Sequence, residues 1–571
     1  MDLDDFHLLE EYEHSAHDAI MEILRAQRKL IVAYSGGKDS TVMLLMALNA
    51  ARLLREQGIA FPSILISHGD TGIENPSVVA LVRNELRKAS AYAKAHGFEA
   101  QGHIARPALL DTWAVSVLSG RKLPTFPNSS SRDCTQMYKI RPMELLRSKI
   151  LKAELEQPRG GPPVTLIGTR FEESSGRGIR MTERGETAYE PWEKSGAFFL
   201  SPIANWSSDD VWAYLGSYKN RERLGFTDAV DVWEMYSDAG GAGGACAVVA
   251  DMATEGVKKS RACGARFGCA LCAAVGVDKS MEAMIALPKF SWLSRLNKIQ
   301  QFIANTAWDW SRRNWVGRTL VEGCLPIGPD TYSPAMLQEL LRYCLTADAI
   351  EASLARRGEF APRFELVSQE ALIAIDALWS LHGVQARPFT AVKLWKEVYH
   401  DRKRFYPPDI GPIARTPIPK TRYLRVGADW DGATPSLLTG LRSGLHETLG
   451  GPGCKGVRAI DGEHLVLDID VGPRFAFNAE SVDLFFQFEV ESVVENYHDA
   501  NAGPTAGFFY YAGLGLLETT DAHVRAHLDR IARRASWRHR TGLCGDIDLP
   551  ALLDRTISRE TMAAERTVLT P

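Results

Sequence analysis

The stretch Leu30-Ile31-Val32-Ala33-Tyr34-Ser35-Gly36-Gly37-Lys38-Asp39-Ser40 decides the fold. Its first five residues form a short apolar, β-prone run that ends at a glycine pair. A helical pattern follows from Thr41 to Leu54. Strand, glycine turn and helix make the opening of a βα unit. At that handover Gly36 and Gly37 reach backbone torsions that other residues disfavour. Successive N–H groups then turn toward one point and form an anion nest. The N-terminus of the helix adds partial positive charge. Ser35 and Ser40 carry hydroxyl donors, Lys38 brings a cation to phosphate oxygens, and Asp39 suits magnesium or a magnesium-bound water. The hexapeptide is not a Walker A loop. That pattern needs a glycine where Val32 stands, and a Ser or Thr where Asp39 follows Lys38.

Outward from the loop, residues 8–27 read as an amphipathic helix with Leu8, Leu9, Tyr12, Ile20, Ile23 and Leu24 on one side. A second unit comprises a strand at Ser63–Ser67, a polar turn at His68–Asn75 and a helix from Pro76 to Ala95. Further strands are expected near 98–104 and 164–168. Strands alternating with helices predict an α/β fold with a doubly wound parallel sheet. Ligands of such sheets sit at the carboxyl ends of the strands. A Gly/Ala-rich stretch at Ala239–Gly244 opens a cysteine block, and a mostly helical, Trp- and Arg-rich region runs from Met281 to about His400. Strand-like runs at Leu465–Val471, Val482–Glu491 and Phe508–Tyr511 and an Arg-rich helix near 521–535 follow. The expected division is 1–230 for the loop-bearing domain, 231–290 for the cysteine region, 291–404 for the helical region and 405–422 for a proline-rich linker. Residues 423–571 form an α/β or α+β extension of open role. Its run Arg525, Arg530, Arg533, Arg534, Arg538 and Arg540 reads as a solvated helix face, with contact to DNA phosphates as the alternative.

Composition narrows the function classes. The chain has 571 residues, 45% hydrophobic and 24% charged, with a net charge of −4, which excludes a bulk basic nucleic-acid binder. Any DNA contact then needs a local patch or a partner. No run of about 18 apolar residues occurs, so no membrane segment is expected. The acidic start has no apolar signal core, and a cytoplasmic location is expected. Three of the nine cysteines, Cys263, Cys269 and Cys272, lie within ten residues, and Cys246 precedes them. Four thiolates complete a tetrahedral zinc or iron–sulfur site, and the spacing leaves the metal open.

The residues Ser-Gly-Gly-x-Asp-Ser resemble the signature of the PP-loop ATP pyrophosphatases, with likeness over about 28–215. That resemblance implies that ATP binds over Ser35, Gly36, Gly37, Lys38, Asp39 and Ser40 with magnesium. It also implies cleavage between the α- and β-phosphates, which leaves AMP on a substrate oxygen. Three segments look like the sulfonucleotide-reductase branch: Asp70-Thr71-Gly72-Ile73-Glu74-Asn75-Pro76, Gly168-Thr169-Arg170 with Glu173 and Arg177, and Ser201-Pro202-Ile203 with Trp206 and Trp212. Strand-end arginines clamp phosphate bidentately, so Asp70, Arg170 and Arg177 join Lys38 and Asp39 as catalytic candidates. Trp206 and Trp212 read as core. Lys139 and Arg141, in Cys134-Thr-Gln-Met-Tyr-Lys139-Ile-Arg141-Pro142, and Glu173 are substrate or phosphate candidates. Cys134 reads as a buried thiol or a sulfur carrier.

The block Cys263-Gly-Ala-Arg266-Phe267-Gly268-Cys269-Ala-Leu-Cys272, with Val277-Asp278-Lys279-Ser280-Met281 and Tyr236-Ser-Asp-Ala-Gly-Gly, resembles the DndC family of DNA phosphorothioation proteins over about 15–407. The resemblance implies a 4Fe–4S cluster on Cys246, Cys263, Cys269 and Cys272, with zinc as the fallback. It implies ATP-dependent activation of a DNA backbone phosphate and replacement of a non-bridging oxygen by sulfur. The implied partners are DNA, a cysteine desulfurase as sulfur source and other subunits of a phosphorothioation complex. Alternatives are a phosphoadenosine phosphosulfate reductase and an ATP-dependent tRNA thiolase. The reductase alternative lacks its Glu-Cys-Gly motif here, because Cys544 lies in Gly-Leu-Cys-Gly-Asp.

Overall fold

Leu30, Ile31 and Val32 are buried in β1 (Leu30–Ala33), the strand around which the first of two compact units is built. The computed structural model describes residues 3–126, 133–156, 160–173, 175–240, 267–431, 457–460, 464–467, 476–518 and 522–569. The first unit takes in Met1–Ala108 and Pro127–Gln300, and the second Leu109–Phe126 and Gln301–Pro571.

In the first unit, α1 (Leu3–Arg25) precedes β1, α2 (Lys38–Glu56) follows the loop, and β2 (Ile64–Gly69), α3 (Pro76–Ala95) and β3 (Ala100–Ala105) continue the pattern. The strands β4 (Val164–Leu166), β5 (Trp192–Lys194) and β6 (Ala197–Leu200) complete a six-stranded sheet of order β3-β2-β1-β4-β6-β5. All neighbours are parallel except β5 with β6. Every residue of β2 is buried, as a strand covered on both faces requires. The sequence advances from β1 through β2 to β3 on one side, then returns to place β4 on the other side of β1. The strand order therefore reverses between β1 and β4, and such a switch point opens a crevice at the carboxyl ends of its strands.

The second unit is mainly helical. Its central helix Gln369–His382 buries every residue from Ala371 to Leu381, as a helix apolar on all sides must. Helices Pro334–Gly358, Thr390–Tyr399, Ala506–Gly513 and Ala522–Arg540 belong to this unit. The proline-rich segment carries no helix or strand from residue 405 to 421, and Arg422 opens the strand Arg422–Arg425. The segment is held by Asn305, whose amide donates to the carbonyl of Ile410 at 2.7 Å, and by Trp310, whose indole N–H donates to Thr416 at 2.8 Å.

Two of the strand-like runs are helices. Val482–Glu491 lies mostly in the helix Ala479–Phe488, where buried Val482, Phe485 and Phe486 follow a 3.6-residue repeat and Asn478 caps Ser481 N–H. Phe508–Tyr511 lies in Ala506–Gly513. Aromatic residues favour strands only where a pleated surface receives them. Here Ser380 accepts from Phe508 N–H at 2.8 Å and buried Asp376 accepts from the Tyr511 hydroxyl at 2.8 Å, so packing on the central helix decides. The third run holds a strand, His464–Leu467, antiparallel to Val457–Ile460, while 468–471 lie outside the described residues.

Candidate active site

The loop Ser35–Ser40 sits at the switch point, between the end of β1 and the start of α2. Gly36 has φ +78, and a Cβ there would stand 2.5 Å from Val82 Cγ2 on α3. Both torsion and space thus exclude a side chain. Gly37 is the N-cap of α2 and offers no side-chain cap, so the first N–H groups of the helix face the loop without a side-chain acceptor of their own cap residue. This cradle and its donor set fit a polyphosphate. The serine hydroxyls shape the loop itself. Ser40 Oγ accepts from Ser35 N–H at 3.2 Å, donates to the Gly37 carbonyl at 2.9 Å and lies 3.1 Å from Ser35 Oγ.

The charges converge on Asp39. Its Oδ1 takes Lys38 Nζ at 3.1 Å and Arg170 Nε at 2.6 Å. Lys38 and Arg170 are buried, 6% and 4% exposed. Arg170 also donates to the Trp206 carbonyl at 3.2 Å, which fixes the plane of its guanidinium. It rides on the turn after β4, and that turn presses on the loop helix: a Cβ on Gly168 would lie 3.1 Å from Met43 and 3.4 Å from Asp39. Behind it, buried Glu186 accepts from the hydroxyls of Thr169 at 2.7 Å and Ser201 at 3.0 Å, tying the ends of β4 and β6. Arg177 stands one turn away, in an ion pair with Glu173. Trp206 and Trp212 are each 1% exposed and belong to the core, as read from the sequence.

Asp70 follows β2. Its Oδ1 accepts from Gly72 N–H at 2.9 Å and its Oδ2 pairs with Arg106 at 2.9 Å. Beside it, His68 donates from Nδ1 to the Tyr34 carbonyl at 3.0 Å. Burial lowers the pKa of His68, whose other ring nitrogen is Nε2. Glu74 Oε2 lies 3.5 Å from that nitrogen. Burial raises the Glu74 carboxyl to about 7, with Lys139 opposing and Asp70 assisting. Lys139 lies on Gln136–Ile140 with its stem 3.5 Å from where a Gly69 Cβ would be, and Arg141 opens the helix that follows.

The cysteine turn docks on the same strand end. Cys269 bridges to Glu74, and Ala270 N–H donates to the Ile73 carbonyl at 2.6 Å. Cys272 N–H donates back to the Cys269 carbonyl at 2.9 Å, so the pair forms one tight turn. Thr71 Oγ1 lies 3.9 Å from Cys269 Sγ. Burial pushes the Cys269 thiol up to about 12, and Glu74 and Cys272 add to it. Burial raises Cys272 as well, and the charge of Cys134 is felt there. An incoming metal would displace these protons. Cys246 and Cys263 lie outside the described residues. Among the described residues no group of three or more His, Cys, Asp or Glu side chains stands ready to hold a metal ion.

Arg106 carried no functional reading in the sequence, and Tyr236 entered only through the family resemblance. The Tyr236 hydroxyl accepts from Lys38 N–H at 3.3 Å, and its ring meets Phe267 edge-on at 5.1 Å, two residues before Cys269. One aromatic residue thus links the loop to the cysteine turn. Arg106 had a usable signal, since it directly follows a strand.

Residues 29–221 match the model of the phosphoadenosine phosphosulfate reductase domain. This match takes in the loop Ser35–Ser40 and all six strands of the sheet. No curated protein matches the sequence. Among solved structures, an FMN adenylyltransferase from Candida glabrata is similar at 11% identity, over 38% of this chain and 57% of that one, with TM-score 0.23. The chain thus spans little more than half the length of that enzyme. A phosphoadenylyl-sulfate reductase from Candida auris is 17% identical over 38% of this chain and 88% of that one, TM-score 0.23. A U34-tRNA thiolase from Methanococcus maripaludis, solved with its 4Fe–4S cluster, is 14% identical over 44% of this chain and 80% of that one, TM-score 0.22. Among the described residues no helix is long and apolar enough to cross a membrane.

Proposed function

We propose that this protein is an ATP-dependent sulfurtransferase of DNA phosphorothioation. One observation carries the reading: the Cys269–Cys272 turn is hydrogen-bonded to the turn after β2, at the same strand ends that hold the phosphate loop. Sulfur-handling thiols beside a nucleotide loop suit an enzyme that activates an oxygen and then replaces it.

The chemistry follows from the residues. The β- and γ-phosphates of ATP lie over Ser35–Ser40, where backbone N–H groups and Lys38 stabilise pyrophosphate as it leaves. A non-bridging oxygen of a DNA phosphate attacks the α-phosphorus. Asp39, positioned by Arg170, would hold a magnesium ion, which would offset the phosphate charge. Hydrosulfide, released from the desulfurase's persulfide by a thiol reductant, then attacks the adenylated DNA phosphorus; the P–S bond forms as the bond to AMP breaks, and AMP departs with the original oxygen. Adenylation is needed because a phosphodiester oxygen is a very poor leaving group. A 4Fe–4S cluster on Cys269 and Cys272, completed by Cys246 and Cys263, would supply sulfur storage or relay; zinc on the same thiolates would be structural. A cysteine desulfurase and further subunits deliver sulfur and DNA, from a location in the cytoplasm.

The test is mass spectrometry of nuclease-digested DNA from expressing cells, beside an anaerobic iron and sulfide assay. Cys269→Ser or Cys272→Ser is expected to abolish iron binding and DNA sulfur and to leave ATP binding within about twofold, because the loop is built from other residues. Undiminished DNA sulfur in both variants would refute a role for the turn. Thiolated tRNA, or sulfite formed from phosphoadenosine phosphosulfate, with no sulfur in DNA would refute the substrate.

A further inference from the structure

Arg538 breaks the pattern of the Arg-rich helix Ala522–Arg540. Arg533 pairs with Asp529 at 2.8 Å, Arg534 lies over Trp430 at 5.7 Å, and Arg540 is 4.0 Å from Asp429. Arg538 also lies over Trp430 at 5.7 Å, but it turns inward and is 8% exposed. It donates one N–H to the Gly317 carbonyl at 2.6 Å, while its Nε has no acceptor among the described residues. The expected solvated face is therefore interrupted by one buried cation.

Arg538 lines a cavity inside the second unit, together with Arg121, Arg318, His382 and Pro334, which has no N–H to offer. Neither Asp nor Glu lines it. Arg318 donates to the Arg121 carbonyl at 3.2 Å and meets Asp330 at 3.1 Å outside the cavity wall, in a half-exposed ion pair. His382 Nε2 is buried without a hydrogen-bond partner among the described residues. Burial lowers His382 to about 3, and Arg538, Arg318 and Arg121 push it the same way. Burial also lowers Arg538 to about 10, with Arg318 and Arg534 adding repulsion and Cys544 opposing it. Arg538 is the buried cation of the three that line the cavity, and a buried charge is costly unless a counter-charge joins it.

The space is small. It leaves about 30 Å³ for the centres of water-sized groups. One such group needs roughly 10–15 Å³, so the space equals two or three waters, close to the volume of one compact phosphoryl group and too little for a sugar or base. We infer that this cavity binds a tetrahedral phosphoryl oxyanion, held by Arg538, Arg318 and Arg121. Guanidinium forks match phosphate oxygens bidentately, and Arg538 Nε supplies a donor that no carbonyl takes. The anion is either free inorganic phosphate or the terminal phosphate of a nucleic-acid strand.

The experiment uses the full chain in a Lys38→Ala background, so that the loop of the first unit does not take up the probe. Potassium phosphate is titrated calorimetrically against chloride of equal ionic strength. Phosphate binding that weakens about tenfold or more in Arg318→Gln and in Arg538→Gln supports the site. Arg318 is half exposed, so its variant stays folded if replacement of Arg538 does not. In a second arm, 5′-phosphorylated and 5′-hydroxyl oligonucleotides are compared. A preference for the phosphorylated end that disappears in Arg318→Gln supports the site with a strand end as its ligand. Phosphate binding lost in Arg318→Gln without that preference supports it with free phosphate as the ligand. Absence of binding by either probe, or binding that neither substitution changes, overturns the inference. These outcomes are independent of whether DNA receives sulfur.

Discussion

Replacing Gly36 with Ala isolates the two reasons for glycine in the phosphate loop. The first is torsional. At φ +78 an L-residue costs about 1–2 kcal/mol. The second is steric. The new Cβ would stand 2.5 Å from Val82 Cγ2. Carbon contacts ordinarily sit at about 3.5–4.0 Å, so α3 must retreat by about 1 Å. Overpacking of that kind costs about 1–3 kcal/mol. Gly36→Ala should therefore destabilise the first unit by about 2–5 kcal/mol. Val82→Ala removes the clashing methyl and leaves the torsion untouched. In that background Gly36→Ala should cost only about 1–2 kcal/mol, giving a coupling of about 1–3 kcal/mol. Hydrogen exchange of peptides from β1 and α2 reads this unit without interference from the second. Equal costs in both backgrounds would refute the steric half of the argument. No measurable cost in either would refute the loop conformation itself.

Three further outcomes are expected. Arg170→Lys keeps the charge but not the fork that serves both Asp39 and the Trp206 carbonyl. Pyrophosphate release from Mg-ATP with duplex DNA should fall about 10- to 100-fold, in line with 1.5–3 kcal/mol for a charged hydrogen bond, and a rate within twofold of the parent would contradict the role. Tyr511→Phe removes the hydroxyl donor to Asp376, whose carboxyl is raised by burial to about 6 from an ordinary 3.8. Because the folded pKa lies above the unfolded one, the native state holds the extra proton between about pH 4 and 6, and stability falls as pH rises through that window. The variant loses a donor to the charged form, so its destabilisation should be about 1.5–3 kcal/mol at pH 7 and clearly smaller at pH 5. Calorimetric melts showing equal losses at both pH values would exclude titration of Asp376. Glu186→Gln should loosen the joint between β4 and β6 by about 1–2 kcal/mol, visible as faster hydrogen exchange in β4 with little change in α3.

The loop, the alternation of strands and helices and the helix Pro76–Ala95 were legible in the sequence, because each rests on local physics: glycine torsions, strand and helix periods, and a proline at a helix start. The aromatic runs at Val482–Glu491 and Phe508–Tyr511 misled for the complementary reason. Their intrinsic preference is for strands, but their burial on the helix Gln369–His382 outweighs it. The Arg-rich helix was found, yet which of its arginines faces inward depends on what packs against it.

Sequence alone determined that a glycine turn joins a buried strand to a helix, since a few neighbouring torsions and side chains suffice. It also marked Arg170, Asp70 and the cysteine pair as chemically apt, but not as neighbours. Arg170 reaches Asp39 across 131 positions, and Tyr236 reaches Lys38 across 198. Those meetings follow from the strand order that sets β4 beside β1 and from the docking of the cysteine turn on the end of β2. Long-range contacts of this kind are selected by the packing of whole elements around a shared core, and no local period in the chain records which elements will meet.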